Sequence, residues 1–346
     1  MKKFQTSLQV NIYPLDICHL KETLPHQIRV FGDQVDSICI VLDTKPSLSG
    51  RYGSEFYSDC LLEIRCYLNE LSGHNNKIVV KEVDYSAQTK QGVSDLFFGG
   101  KYIPEKAWDG GPFYSYFYGL YISNSEYVLH MDGDMLFGGG SSTWISEAKK
   151  IIDDDVKVAF VCPWPGPPFK NGFISEKVSN TFEGTPAKNY KTHPLSIVQD
   201  HVSTRIFFAK TSRLVVDLGA LGFYPLGVLR KFKAYLLGNE GVALEAESLL
   251  SLNMREKNKI RVDYLGENSG VWSLHPVYRS AEYIAALPII IRNVELGEIP
   301  AGQIGDYNLN DSMVDLKSAK KNASKLSRIL KQINFVLFKR FFIKRN

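Results

Sequence analysis

The stretch Tyr127-Val128-Leu129-His130-Met131-Asp132-Gly133-Asp134-Met135-Leu136-Phe137 narrows the choice of fold more than any other part of the chain. Its first half is an apolar run of the length expected of a buried parallel strand. Its second half presents two carboxylates one residue apart, and then Gly138-Gly139-Gly140. In an extended chain residues i and i+2 point the same way, so Asp132 and Asp134 are expected to reach one ligand, with Gly133 letting a bulky anion approach the backbone. Two hard oxygen donors suit Mg²⁺ or Mn²⁺. The plain alternative is a strand-to-loop turn held together by Asp side chains.

The chain carries its own control for that pattern. Asp153-Asp154-Asp155 has the same spacing, but it sits in a polar turn between a helical stretch and a strand, where capping is the better reading. A calcium-binding loop starting at Asp132 fails, because its twelfth position is Thr143 rather than Glu. Upstream, residues 8–13 read as a strand closed by Pro14, and 18–31 as a helix that Pro25 should kink or split. Residues 37–42 form a second, fully apolar strand, 57–71 a helix, and 77–83 a third strand. Three strands thus finish in Asp43, Asp84 and Asp132, and open α/β sheets bind ligands at that end. No G-x-G-x-x-G follows the first strand, which argues against a dinucleotide dehydrogenase.

An apolar strand ending in Asp132-Gly133-Asp134 resembles the metal-binding motif of glycosyltransferases of the GT-A fold. The resemblance implies an α/β architecture with a Rossmann-like, mostly parallel central sheet flanked by helices, and a nucleotide-sugar donor. It implies a metal site at Asp132 and Asp134 with His275 as a further ligand, and donor contacts from Tyr13, Asp43, Asp84 and Asp132. Mn²⁺ or Mg²⁺ is the implied cofactor. The order of elements divides residues 1–315 into a nucleotide-binding half (1–140) and an acceptor half (141–315).

Later in the chain, 113–122 is an aromatic-rich helix expected to be largely buried, leaving Trp108 and Asp109 in the loop before it as candidates for ligand contact. Residues 143–152 read as a helix and 156–161 as a strand. From Pro163-Trp164-Pro165 to about Pro194 the chain is too rich in Pro, Gly and Asn for regular structure; long loops of this kind tend to be functional, so Trp164 joins the acceptor-side candidates. A strand at 205–209, a helix ending near Asn258 and a strand at 260–265 follow. The acids at the front of that helix, Glu245 and Glu247, resemble the place where inverting GT-A enzymes keep a catalytic base. Being i and i+2, they do not share a helix face, and Glu247 is favoured. Arg279 and Ser280 are placed to meet phosphate.

Composition and charge bound the setting. With 346 residues, 44% of them hydrophobic, the chain can bury a full core, and it holds no run of eighteen apolar residues. Five scattered cysteines without a C-x-x-C pair fit a reduced, cytoplasmic environment. The net charge of +4 hides an asymmetry: residues 317–346 hold ten basic residues and no acidic one, so residues 1–316 carry −6, the difference between +4 and +10. The tail, 316–346, reads as a basic amphipathic helix lying on an anionic membrane surface at the inner face, with docking on the catalytic domain or a partner as the rival reading and no nucleic-acid role.

The expectation is therefore a metal-dependent transferase moving sugar to a saccharide or lipid-linked acceptor, with inversion, in polysaccharide or glycolipid synthesis. Two alternatives remain open on sequence alone. One is a HAD-like phosphatase using Asp132 as nucleophile; the other is a non-catalytic protein of GT-A fold.

Overall fold

The structure is a computed structural model, and it describes residues 4–46, 56–169, 188–191 and 195–316. The tail after Leu316 and most of the Pro-rich stretch after Phe169 lie outside the described residues.

Strand β1 (Phe4–Ile12) pairs in parallel with β2 (Ser37–Leu42) on one side and β4 (Ser125–Asp132) on the other, and β3 (Ile78–Glu82) continues the sheet beyond β2. Every residue of β2 is buried, as a strand covered on both faces must be. One cover is α1 (Ile17–Phe31), which runs unbroken through Pro25, together with α2 (Tyr57–His74). On the opposite face lie α3 (Ala87–Phe98) and α4 (Tyr114–Ile122), and α4 buries seven of its nine residues, as its aromatic content requires.

Beyond β4 the sheet is mixed rather than mostly parallel. After the short β5 (Leu136–Gly138) and α5 (Trp144–Asp154), β6 (Val158–Pro165) returns to the sheet. It does not pair with β4. Strand β9 (Ile206–Lys210) inserts between them, antiparallel to both, so the order runs β3-β2-β1-β4-β9-β6. The sheet then continues through β10 (Ile260–Tyr264), parallel to β6, and the antiparallel β8 (Ser196–Gln199) and β7 (Lys188–Asn189). The reversal at β9 follows from chain economy: a strand entering from the end where β4 finishes needs no crossover helix to pair with it. Strand β11 (Trp272–Leu274) bridges β5 and β6.

Besides α3, two helices have no counterpart in the sequence reading. One is α8 (Ala281–Leu296), which packs Leu287, Ile290 and Val294 beside β5 and β11. The other is α6 (Val228–Leu236), which buries only Ala234. Between them α7 (Ala246–Glu256) begins immediately after Glu245. The parallel half of the sheet, flanked by helices on both faces, and the acidic end of β4 match the α/β expectation.

Candidate active site

The turn after β4 is built from below. Thr23 of α1 donates to the Gly133 carbonyl (2.5 Å), and the buried Gln27 amide donates to the carbonyls of Asp132 (3.1 Å) and Met135 (3.0 Å). The Gly133 N–H binds the Asn11 carbonyl, and the Asp132 N–H binds that of Arg205. With the backbone polar groups taken by α1, β1 and the start of β9, the side chains of Asp132 and Asp134 are not needed to hold the turn. Gly133 has a different role from the one expected. A Cβ there would come within 2.5 Å of Leu20 and 3.0 Å of Ile12, so it permits close packing on α1 and β1 rather than the approach of an anion.

Both carboxylates line a cleft of about 470 Å³. Asp134 is 3% exposed; neither oxygen accepts a well-formed hydrogen bond, and its charge partner is the guanidinium of Arg279, pressed against Oδ2. Part of Asp132 still meets the cleft, but it is ringed by protein. Burial lifts its carboxyl to about 7; Arg205 and Arg279 pull the other way, while Asp16 and Glu247 add to the rise. Acids on the cleft floor are thus short of hydrogen-bond donors.

The same cleft collects Tyr13, Asp43, Asp109, Glu245, Glu247, His275 and Arg279 from the sequence-derived set, together with residues the sequence did not single out: Asp16, Lys106, Tyr116 and Arg205. Asp43 at the end of β2 is fixed by Tyr85 (2.7 Å) and Lys106 (3.1 Å), and the Tyr13 ring packs on Tyr57. Tyr116 is 3% exposed with a hydroxyl that has no hydrogen-bond partner; burial first, then Asp132 and Glu247, hold its proton on far above the usual range. Arg205 was hidden because its position depends on β9 reversing direction beside β4. Tyr116 was hidden among the core aromatics of α4.

Glu245 is the residue before α7, and its Oε1 accepts from the Trp108 indole (2.9 Å) while the buried Oε2 has no partner. Glu247, in the first turn of the helix and exposed, accepts from the Thr204 N–H (3.2 Å). It also borders a second cavity of about 520 Å³, lined by His201, Arg261, Asp263 and Asn308 among others, which shares Arg205, Glu247 and Val277 with the first. Glu247 therefore stands where two chambers meet.

Other expected residues lie elsewhere. Asp84 accepts from Ser86 and Thr89 at the start of α3 and does not line the cleft; these bonds lower its carboxyl below the usual value, as in a capping turn. Trp164 is 3% exposed within the core beside Trp272 and Leu136, so it cannot serve as an acceptor platform. Trp108 touches Glu245 rather than the cleft. Asp109 lines the cleft but spends one oxygen on the Gly111 N–H. Ser280 caps α8 through the Tyr283 N–H. His275 reaches the cleft, yet its Nδ1 is shared between Arg205 (3.2 Å) and Asn308 (3.1 Å), and burial and then Arg205 lower its value to about 4. Among the described residues, no three His, Cys, Asp or Glu side chains converge as a metal-ligand set. The third-ligand role of His275 is therefore not assembled here, while the two carboxylates, hard oxygen donors wanting positive charge, do fit a divalent ion.

No family model and no curated protein matches the sequence. Among solved structures, the chain is similar to GalNAc-T7 with UDP, GalNAc and Mn²⁺ (TM-score 0.45, 10% identity, covering 100% of this chain and 58% of that one). It is similar to the mannosyltransferase PcManGT from Pyrobaculum calidifontis with GDP-Man and Mn²⁺ (0.33, 10%, 87% and 66%). It is also similar to 4-diphosphocytidyl-2C-methyl-D-erythritol synthase from Anaerococcus prevotii (0.36, 14%, 84% and 99%). The chain spans less than two thirds of the length of the first two.

Proposed function

We propose that the protein is a glycosyltransferase of GT-A type that takes a sugar from a nucleotide-sugar donor. The observation that carries this reading is the pair of carboxylates on the floor of a cleft that Arg205 and Arg279 also line: Asp134, buried with no hydrogen bond to either oxygen, and Asp132, whose carboxyl burial raises. That mixture suits a cation with a diphosphate better than either alone. Mn²⁺ or Mg²⁺ held by Asp132 and Asp134 would supply charge neutralisation for the departing nucleoside diphosphate.

The chain's own groups supply the rest. Arg279, with 43% of its side chain exposed, can turn from Asp134 to the diphosphate, and Arg205 borders both chambers. Tyr13 and Asp43 at the ends of β1 and β2 support the nucleotide, with Asp43 held in place by Tyr85 and Lys106. Glu247, at the junction of the chambers, takes the proton from an acceptor hydroxyl as that oxygen bonds the anomeric carbon. The sugar–phosphate bond breaks on the opposite side and the configuration inverts. Glu245, held by Trp108, shapes the wall beside it. The second cavity, where Arg261, Asp263 and Asn308 sit among apolar side chains, receives a saccharide or glycolipid acceptor. We further propose a cytoplasmic site of action in polysaccharide or glycolipid synthesis, with the basic tail near an anionic membrane; that assignment for residues 317–346 rests on sequence.

The test is a thermal-shift panel of nucleoside diphosphates with and without Mn²⁺. Stabilisation by one nucleotide only when the metal is present supports the reading and names the donor class. Equal melting in all conditions, together with phosphate release from simple phosphomonoesters, would replace it with the phosphatase reading. A nucleotide shift that persists unchanged in Asp134→Asn would leave the fold without its proposed chemistry.

A further inference from the structure

Helix α6 turns its greasy side outward. Val228 is 82% exposed, Leu229 85%, Phe232 61% and Tyr235 65%, while Ala234, on the opposite side, is fully buried. At 3.6 residues per turn the four exposed apolar residues fall within an arc of about 120°. Lys231 and Lys233 border that arc on its two sides, and Arg230 lies behind it toward the body of the protein. No acidic residue occurs between Asp217 and Glu240. A surface helix that docks on its own domain shows the reverse pattern.

We propose that α6 is a membrane-docking element that lies in the headgroup region of an anionic bilayer, with Val228, Leu229 and Phe232 inserted and Lys231 at the phosphates. The shape of the patch favours lipid over protein. A nine-residue helix is about 14 Å long, and its single convex stripe is small beside the roughly 800 Å² per partner of a stable protein interface. The charge also selects the occupant. A second copy meeting this face would set Lys231 and Lys233 against their own counterparts, and the tail of the same chain, with ten basic residues and no acidic one, would be repelled. An interfacial helix with cations flanking its apolar arc is complementary to anionic lipid on both counts.

The position of α6 gives docking a consequence for the site. Arg230 and Lys233 lie over the Trp108 ring at 5.5 and 5.3 Å, and Trp108 donates to Glu245 on the cleft wall. The wall of the cleft is therefore one side chain from the docked helix, so an acceptor carried in the bilayer would arrive beside Glu245 and Glu247. Docking itself does not depend on the transfer reaction proposed above, and its test reads binding alone.

The experiment is sedimentation of the full chain with phosphatidylcholine vesicles, with and without phosphatidylglycerol, comparing the parent with Leu229→Ser/Phe232→Ser and with Lys231→Glu. Both serines replace exposed side chains, so the melting temperature and the nucleotide shift should be unchanged. The expected result is parent binding that needs the anionic lipid, weakened roughly tenfold or more by the double substitution and several-fold by Lys231→Glu. Parent-level binding by the double variant would overturn the proposal, because the tail alone would then account for docking. Equal binding to neutral vesicles would overturn it too, as would a parent dimer in solution that the double variant dissolves.

Discussion

Strand β4 has an acid group at each end, and the two are treated in opposite ways. At its start, Tyr127 donates to both oxygens of Asp153 (2.6 and 2.8 Å) and Lys210 adds an ion pair at 3.0 Å. Partial burial pushes Asp153 upward, yet these bonds bring its carboxyl below the usual value. Asp155 is likewise engaged by the Lys157 N–H, Tyr190 and Lys191. At the far end, Asp132 is raised to about 7, and Asp134 has an arginine beside it but no well-formed hydrogen bond. The spacing is the same, so spacing is not what makes a site. What separates the two is that Asp153 is held by a hydroxyl and an ammonium group, whereas Asp134 is buried against a single, partly exposed arginine.

The most severe test of that contrast is the pair Asp134→Asn and Asp153→Asn. The first should lower turnover by about 10²-fold or more and abolish the metal-dependent nucleotide shift; the second should leave both intact. Equal loss in the two variants would erase the distinction. Glu247→Gln should reduce kcat by about 10²-fold or more with little change in nucleotide binding, whereas Glu245→Gln should cost about tenfold at most, measured as initial rates under saturating donor. The reverse ranking would move the base to Glu245.

Smaller effects sharpen the electrostatic half. Because the folded value of Asp132 lies above its ordinary one of 3.8, the native state holds an extra proton between those limits. The contribution of Asp132 to stability therefore declines as pH rises from about 4 to 7. Without metal at pH 8, Asp132→Asn should melt about 2–4 °C above the parent, and the gain should vanish near pH 4; melts across that range would check it. The smallest effect expected is on stability in Asp153→Asn, about 1 kcal/mol from denaturant midpoints, since Asp153 and Lys210 are near the surface.

What the sequence made legible follows the range of the interactions involved. Strand β2 matched its expected bounds because six consecutive buried residues leave a strong pattern, and α1 and α2 began within a residue of expectation. The acidic end of β4 was legible for the same reason. The mixed half of the sheet was missed because nothing local in Ile206–Lys210 encodes its direction. Glu245 and Glu247 could be placed near the site from order, but only Trp108 and Thr204, distant in sequence, distinguish them. Asp84 and Trp164 show the opposite failure. Residue type and position suited a ligand contact, while capping and core packing had already taken those side chains.

The indole that steadies Glu245 also gives the protein a built-in optical gauge. The chain has four tryptophans, and Trp144, Trp164 and Trp272 are sealed in the core at 0%, 3% and 4% exposure. Trp108 combines a carboxylate on its N–H with two cations above its ring. Its emission colour should respond when cargo fills the neighbouring chamber or when the helix above it settles on lipid, so one unlabelled fluorophore can follow both events in real time.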